Sequence, residues 1–101
     1  MVGHVISKKS DMYYVYVLQS LREKTLYTGF TRTVKKRLLY HNNGSDPYTT
    51  KFKPWILVYY EAYLLKEDAI NREKFLKSGS GKKYLDKQLR EYFRKNPRRK
   101  L

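Results

Sequence analysis

A chain of 101 residues, 41% hydrophobic and 16% aromatic, fits one domain with little core to spare. Lys and Arg number 23 against 9 Asp and Glu. The net charge of +14 favours a polyanionic partner, nucleic acid before an anionic membrane, and exceeds what solubility alone requires. The absence of cysteine excludes a disulfide frame and a thiolate zinc site and suits a reducing cytoplasm; no apolar run is long enough to cross a bilayer.

Residues 1–11, MVGHVISKKSD, lack the apolar stretch of a signal peptide and read as a flexible arm. Tyr13 to Leu18 is unbroken aromatic and β-branched sequence and predicts a strand; Leu26 to Phe30 predicts a second. The polar QSLREKT between them reads as a hairpin loop. Folding about Leu21 and Arg22 sets Tyr16 directly opposite Tyr27 on one face, and Gly29 leaves space beside Tyr27 for a ligand or another backbone. Eleven tyrosines against four phenylalanines suit a sheet with one dry side and one polar side. A helix follows through TVKKRLLYH. Thr31 or Thr33 caps it, Val34 and Leu38 face inward, and Arg37 and His41 lie one turn apart on an adjacent stripe. Asn42-Asn43-Gly44 ends it.

A polar and basic loop at 45–54 leads to a third strand, WILVYYE. Lys66 to Lys77 is a second helix without a good capping residue, and Glu73 falls inside its apolar stripe beside Ala69 and Leu76. SGSG breaks that helix. Ser80 caps a third, with Leu85, Leu89, Tyr92 and Phe93 on one face, and Asn96-Pro97 stops it before a basic tail. The order β–β–α–β–α–α predicts an α+β fold, a three-stranded antiparallel sheet flanked by helices. The module spans 12–95, and 96–101 is the tail.

Glu73 carries the sharpest question. An unpaired carboxylate on an inward helix face costs several kcal/mol, so it calls for an arginine such as Arg72, a tyrosine hydrogen bond or a metal ion. The residues alone leave all three open. Taken singly, Arg37 reads as part of the solvated KKR face, and Tyr16 and Tyr27 read as cross-strand packing. GSGKK lacks the first Gly and the final Ser or Thr of a phosphate loop. Glu61, at the end of the third strand, is a reserve metal ligand.

Together the residues match a family. Tyr14-Val15-Tyr16 and Tyr27-Thr28-Gly29 resemble the two signatures of the GIY-YIG endonuclease superfamily. Arg37 lies eight residues after Gly29, His41 one turn later, and Glu73 on the helix after the third strand. The resemblance runs from about Met12 to Leu89 and is nearest to small single-domain bacterial members. Tyr14-Val15 and Thr28 depart from the Gly-Ile and Ile of the signatures. The resemblance implies a metal-dependent endonuclease acting on DNA or structured nucleic acid. Glu73 would hold Mg²⁺, with Mn²⁺ as a substitute, and Arg37 would clamp the scissile phosphate. Tyr16 would orient or deprotonate the attacking water, Tyr27 would bond to water or phosphate, and His41 would relay a proton or position a phenol. Lys35, Lys36, Lys51 and Lys53 are the expected nucleic-acid contacts. A cytoplasmic protein with no membrane association is expected, and a protein partner would supply substrate targeting. The alternative is a nucleic-acid-binding protein of the same fold with little or no turnover, its tyrosines stacking on bases; a basic structural domain is a third reading.

Overall fold

The computed structural model describes residues 11–100. The expected N-terminal arm, apart from Asp11, lies outside the described residues, as does Leu101. Three strands, β1 (Tyr13–Ser20), β2 (Leu26–Thr31) and β3 (Trp55–Tyr63), form one antiparallel sheet in the order β2-β1-β3. Four helices follow in chain order: α1 (Val34–Asn42), α2 (Lys66–Lys77), α3 (Gly79–Gln88) and α4 (Arg90–Lys95). The fold is α+β, as the element order predicts.

β1 is the central strand and is buried from Tyr14 to Ser20, so its alternating side chains feed two cores. Val15 and Val17 pack with Ala69, Leu76, Leu85 and Phe93 of the helices on one face. Tyr16 and Leu18 pack on the other face with Trp55, Val34 and Leu38. Fully burying an aliphatic side chain such as Leu76 or Leu85 stabilises by roughly 1.5–3 kcal/mol.

The hairpin register differs from the expected one by two residues. Tyr16 faces Gly29, and Tyr27 faces Leu18. The reason is the turn. Gln19 and Ser20, read as loop because they are polar, belong to β1 and are fully buried. Ser20 Oγ accepts the amides of Arg22 and Glu23 at 3.2 and 2.8 Å, and the turn closes with Lys24 at φ 66°. A slide of two residues preserves the face of every side chain, so Tyr16 and Tyr27 still share one side of the sheet. On the other edge, β1–β3 pairing jumps between Val17 and Leu18, which leaves Val58 without a direct partner, a β-bulge.

The predicted third helix is two helices, with a break at Leu89 (φ −111°, ψ 32°). Its cap is Ser78 rather than Ser80: Ser78 Oγ accepts the Gly81 amide at 3.1 Å. Gly81 permits the tight α2–α3 corner, because a Cβ there would sit 1.9 Å from the Phe75 carbonyl oxygen. Residues after α4 fold back along the hairpin turn. The Asn96 carbonyl accepts from Gln19 Nε2 at 3.2 Å, and the Arg99 amide donates to the Lys24 carbonyl at 3.0 Å. Among the described residues, no helix is long and apolar enough to cross a membrane.

Candidate active site

The site grows from Tyr16 on the central strand. Its ring lies across Gly29, so closely that a Cβ at Gly29 would fall 2.6 Å from the phenol oxygen. Gly29 therefore admits a neighbouring phenol, not a ligand beside Tyr27. Tyr16 is 2% exposed, and its hydroxyl meets His41 Nε2 at 3.0 Å. The imidazole, 1% exposed, reaches Thr49 Oγ1 with Nδ1 at 2.8 Å. Tyr27 lies diagonally to Tyr16 with ring centroids 6.4 Å apart, and 4.8 Å from the His41 ring.

Local chemistry fixes each element. Thr33 caps α1 without a side-chain bond, while Thr31 Oγ1 takes the Thr33 amide at 3.1 Å. Val34 and Leu38 then seat α1 on the sheet, which turns His41 inward and leaves Arg37 half-buried over the Tyr40 ring at 4.9 Å. Gly44 ends the connection at φ 84°. Asp46 Oδ1 accepts the amides of Tyr48 and Thr49 at 2.8 and 2.9 Å, which starts a short 3-10 turn, Thr49–Phe52. Asn42 clamps the start of β3 through both backbone groups of Trp55, and Trp55 Nε1 donates to the Thr49 carbonyl. Thr49, Asp46 and Asn42 are absent from the site expected from the sequence. Only Asp46-Pro47, a turn-and-cap signature three residues before Thr49, could have pointed to this part of it.

Glu73 lies on α2, in the helical layer on the other face of the sheet. Its side chain is 19% exposed and pairs with Lys77 Nζ at 2.9 Å. The electrostatics join it to the phenols. Burial raises the pKa of Tyr16 well above 10; Tyr27, Glu73 and Asp46 add to the rise, and Arg37 opposes it. Burial and then Asp46 raise Tyr27, opposed by Lys77 and Arg37, with Glu73 adding to the rise. Burial lowers His41 from 6.5, with Arg37 acting in the same direction and Asp46 against it. Arg37 thus acts on both phenols and on the imidazole, and Glu73 on the two phenols. Both phenols are protonated and the imidazole is neutral near pH 7.

Other sequence candidates lie elsewhere. Lys35 and Lys36 are exposed on α1 and line a groove of about 670 Å³ with Tyr14, Leu57 and Tyr60. Lys51 and Lys53 are exposed on the segment before β3. Glu61 is spent as a structural acceptor. It takes the hydroxyls of Tyr59 and Tyr63 and both nitrogens of the Arg72 fork, at 2.8 and 3.0 Å. No lone pair suited to an ion remains, so Glu61 is not the reserve ligand, and Arg72 is not the partner of Glu73.

No group of three or more His, Cys, Asp or Glu able to hold a metal occurs among the described residues. The donor set therefore does not fit a closed zinc site. A single sheltered carboxylate such as Glu73, here paired with Lys77, is a donor of the kind Mg²⁺ takes, since the ion keeps several waters and completes its shell with substrate phosphate oxygens.

Fold and site define a class: a small α+β module in which one sheet face gathers two phenols and an imidazole, with Arg37 one turn earlier on the helix that carries the imidazole. A family model described as the GIY-YIG catalytic domain matches residues 12–96, and the chain belongs to this nuclease family. It is 37% identical over 76 residues to a UPF0213 protein of Staphylococcus saprophyticus, covering 74% of this chain and 92% of that one. It is 45% identical over 65 residues to a UPF0213 protein of Streptococcus pyogenes serotype M3, covering 63% of this chain and 70% of that one. No solved structure matches significantly.

Proposed function

We propose that this protein is a metal-dependent endonuclease that hydrolyses phosphodiester bonds in DNA or structured nucleic acid. The observation that carries the reading is the buried Tyr16–His41 hydrogen bond, with the Tyr27 ring packed 4.8 Å from the imidazole and Arg37 one helical turn before it. Glu73 would hold Mg²⁺ in exchange for its contact with Lys77, and the bound ion would neutralise phosphate charge and lower the pKa of its water. Arg37, which forms no ion pair among the described residues, presents a planar fork to the scissile phosphate.

The phenols act chiefly by hydrogen bonding. An ordinary tyrosine is about 0.1% phenolate at pH 7, a deficit of roughly 4 kcal/mol, and burial makes Tyr16 and Tyr27 poorer bases still. Tyr16 therefore positions the attacking water, and His41 decides how. With the proton on Nε2, His41 donates to Tyr16, whose own hydrogen is free for water or phosphate. With the proton on Nδ1, His41 donates to Thr49, and Tyr16 gives its hydrogen to Nε2 while its oxygen accepts one from water.

The test is an assay of purified protein on linear, nicked, flapped and branched DNA with Mg²⁺, Mn²⁺ or EDTA. Cleavage with metal, silent in EDTA and lost in Arg37→Ala and Glu73→Ala while Glu73→Ala still binds DNA, supports the reading. Tight DNA binding with no cleavage under any metal would replace it with a binding role.

A further inference from the structure

Beside the candidate site runs a second groove, of about 560 Å³, and its charge is one-sided. Lys77, Lys82, Lys83, Arg98, Arg99 and Lys100 line it, with Asp86 as its one carboxylate. Arg98 occupies both oxygens of Asp86, at 2.8 and 3.1 Å. No carboxylate of the described residues lies within 4 Å of the Lys83 or Lys100 ammonium. Thr25, at the start of the β2 side, also lines the groove, and its buried hydroxyl oxygen has no hydrogen-bond partner.

Two features separate this groove from scattered surface charge. First, the cations are gathered by structure. The segment after α4, a free basic tail by composition, is tied to the hairpin through the Arg99 amide and Glu23 and to α3 through Asp86. Lys82 is partly buried, with its Nζ 3.3 Å from the Lys77 carbonyl, and burial, Arg98 and Lys77 all lower its pKa. Like charges held together in a sheltered place repel one another until an anion arrives. Second, the groove opens from the site. Lys77 lines it and also pairs with Glu73, and its charge acts on Tyr27.

We infer that this groove, built by α3 and residues 98–100, is the track for the phosphodiester backbone of the nucleic acid on one side of the scissile bond. The inference rests on the nuclease reading for the word scissile only; the track is a binding surface and is measured without turnover. It moves the main backbone contacts from Lys35, Lys36, Lys51 and Lys53 to the C-terminal half. It also predicts binding indifferent to base sequence, because the groove presents cations and no pattern of base-reading side chains.

The experiment measures affinity for a 20-base-pair duplex and a single strand of DNA against salt concentration, in EDTA, by fluorescence anisotropy. Lys82→Gln with Lys83→Gln is compared with Lys66→Gln with Lys95→Gln, which removes equal charge outside the groove; circular dichroism checks folding of both. Each duplex phosphate that a variant no longer neutralises lowers the slope of log K on log salt by about 0.9, so removing two such charges narrows the drop in affinity between 50 and 200 mM salt by about tenfold. That narrowing in the groove variant and not in the control is the expected result. Equal slopes in both variants would overturn the track in favour of diffuse charge. A third arm uses vesicles containing phosphatidylserine: binding there that depends on Lys82 and Lys83, with no change on DNA, would also overturn it. Cleavage that persists with an unchanged slope sinks the track alone. A changed slope without cleavage sinks the nuclease reading alone.

Discussion

Gly29 is the residue on which the site geometry turns. Its missing Cβ lets the Tyr16 phenol lie across β2 and reach His41. In Gly29→Ala the new methyl meets the phenol oxygen at 2.6 Å and must push it aside. The expected cost is about 1–3 kcal/mol of stability, as for overpacking elsewhere. Cleavage per folded molecule should also fall, by about a hundredfold, since a shift near 1 Å removes the alignment of a positioning group. Thermal unfolding and initial cleavage rates separate the two; an unchanged rate would remove Tyr16 from the chemistry. His41 gives a second expectation with a definite sign. Its folded pKa is below the ordinary 6.5, so the unfolded chain takes up a proton first as pH falls. Stability from the neutral imidazole is complete above about pH 6.5 and is lost progressively below it. Asp46 and Glu61 are shifted downward from 3.8 and 4.5, so they stay silent in this range. Between pH 7.5 and 5.5 the wild-type melting temperature should fall and that of His41→Gln should not; parallel curves would mean that His41 is not held neutral. At this scale the sequence is legible where chemistry is out of place. A carboxylate among apolar residues at Glu73, and an Arg and a His four apart, can be named from spacing. Thr49 cannot, since a hydroxyl in a polar loop carries no mark of the imidazole it will meet eight residues away in sequence.

Elements are legible where their periodicity is strong. Lys66–Lys77 has the predicted bounds because its apolar positions recur at helical spacing, and the three strands begin where predicted because aromatic and β-branched residues cluster there. Polar residues buried by tertiary contacts defeat the same reading. Gln19 looks like loop, yet Tyr92 donates to its Oε1 at 2.6 Å and its Nε2 reaches Lys24 and Asn96, so it belongs to a central strand. The register error follows from that one residue and its neighbour Ser20. The break of the last helix at Leu89 is equally hidden, since the apolar spacing continues through it. Between elements, the clasp of β3 to α2 is the Glu61 cluster, a half-buried carboxylate holding Arg72 and two phenols, with Arg72 also stacked over Phe75 and Tyr84. Glu61→Ala strands the guanidinium and should cost about 2–4 kcal/mol, somewhat below a fully buried pair. Glu61→Leu with Arg72→Met should recover most of it, since no charge is then left unpaired. Denaturant titration measures both. Cleavage per folded molecule should survive in Glu61→Ala; its loss would make Glu61 a metal ligand after all.

For the whole molecule the governing quantity is the charge of +14 on 101 residues. The sheet divides the fold into a thin layer, α1 with the 3-10 turn, and a thick one, α2 to α4. The thick layer carries Glu73 and most of the basic groove. Self-repulsion on this scale destabilises the folded state and is relieved by screening or by a polyanion. The stability of the isolated protein should therefore rise as salt is raised from 20 to 200 mM, opposite to what the ion pairs Arg98–Asp86 and Arg99–Glu23 would do alone. A short DNA duplex in EDTA should act more strongly and in the reverse order. At 50 mM salt, a duplex at about 100 times its dissociation constant adds roughly 2.7 kcal/mol, or about 10 °C or more in melting temperature for a domain of this size. At 500 mM salt the gain should vanish as the phosphate contacts are screened. A melting temperature that ignores DNA at low salt would mean that the charge serves solubility, and the nucleic-acid assignment would fall with it.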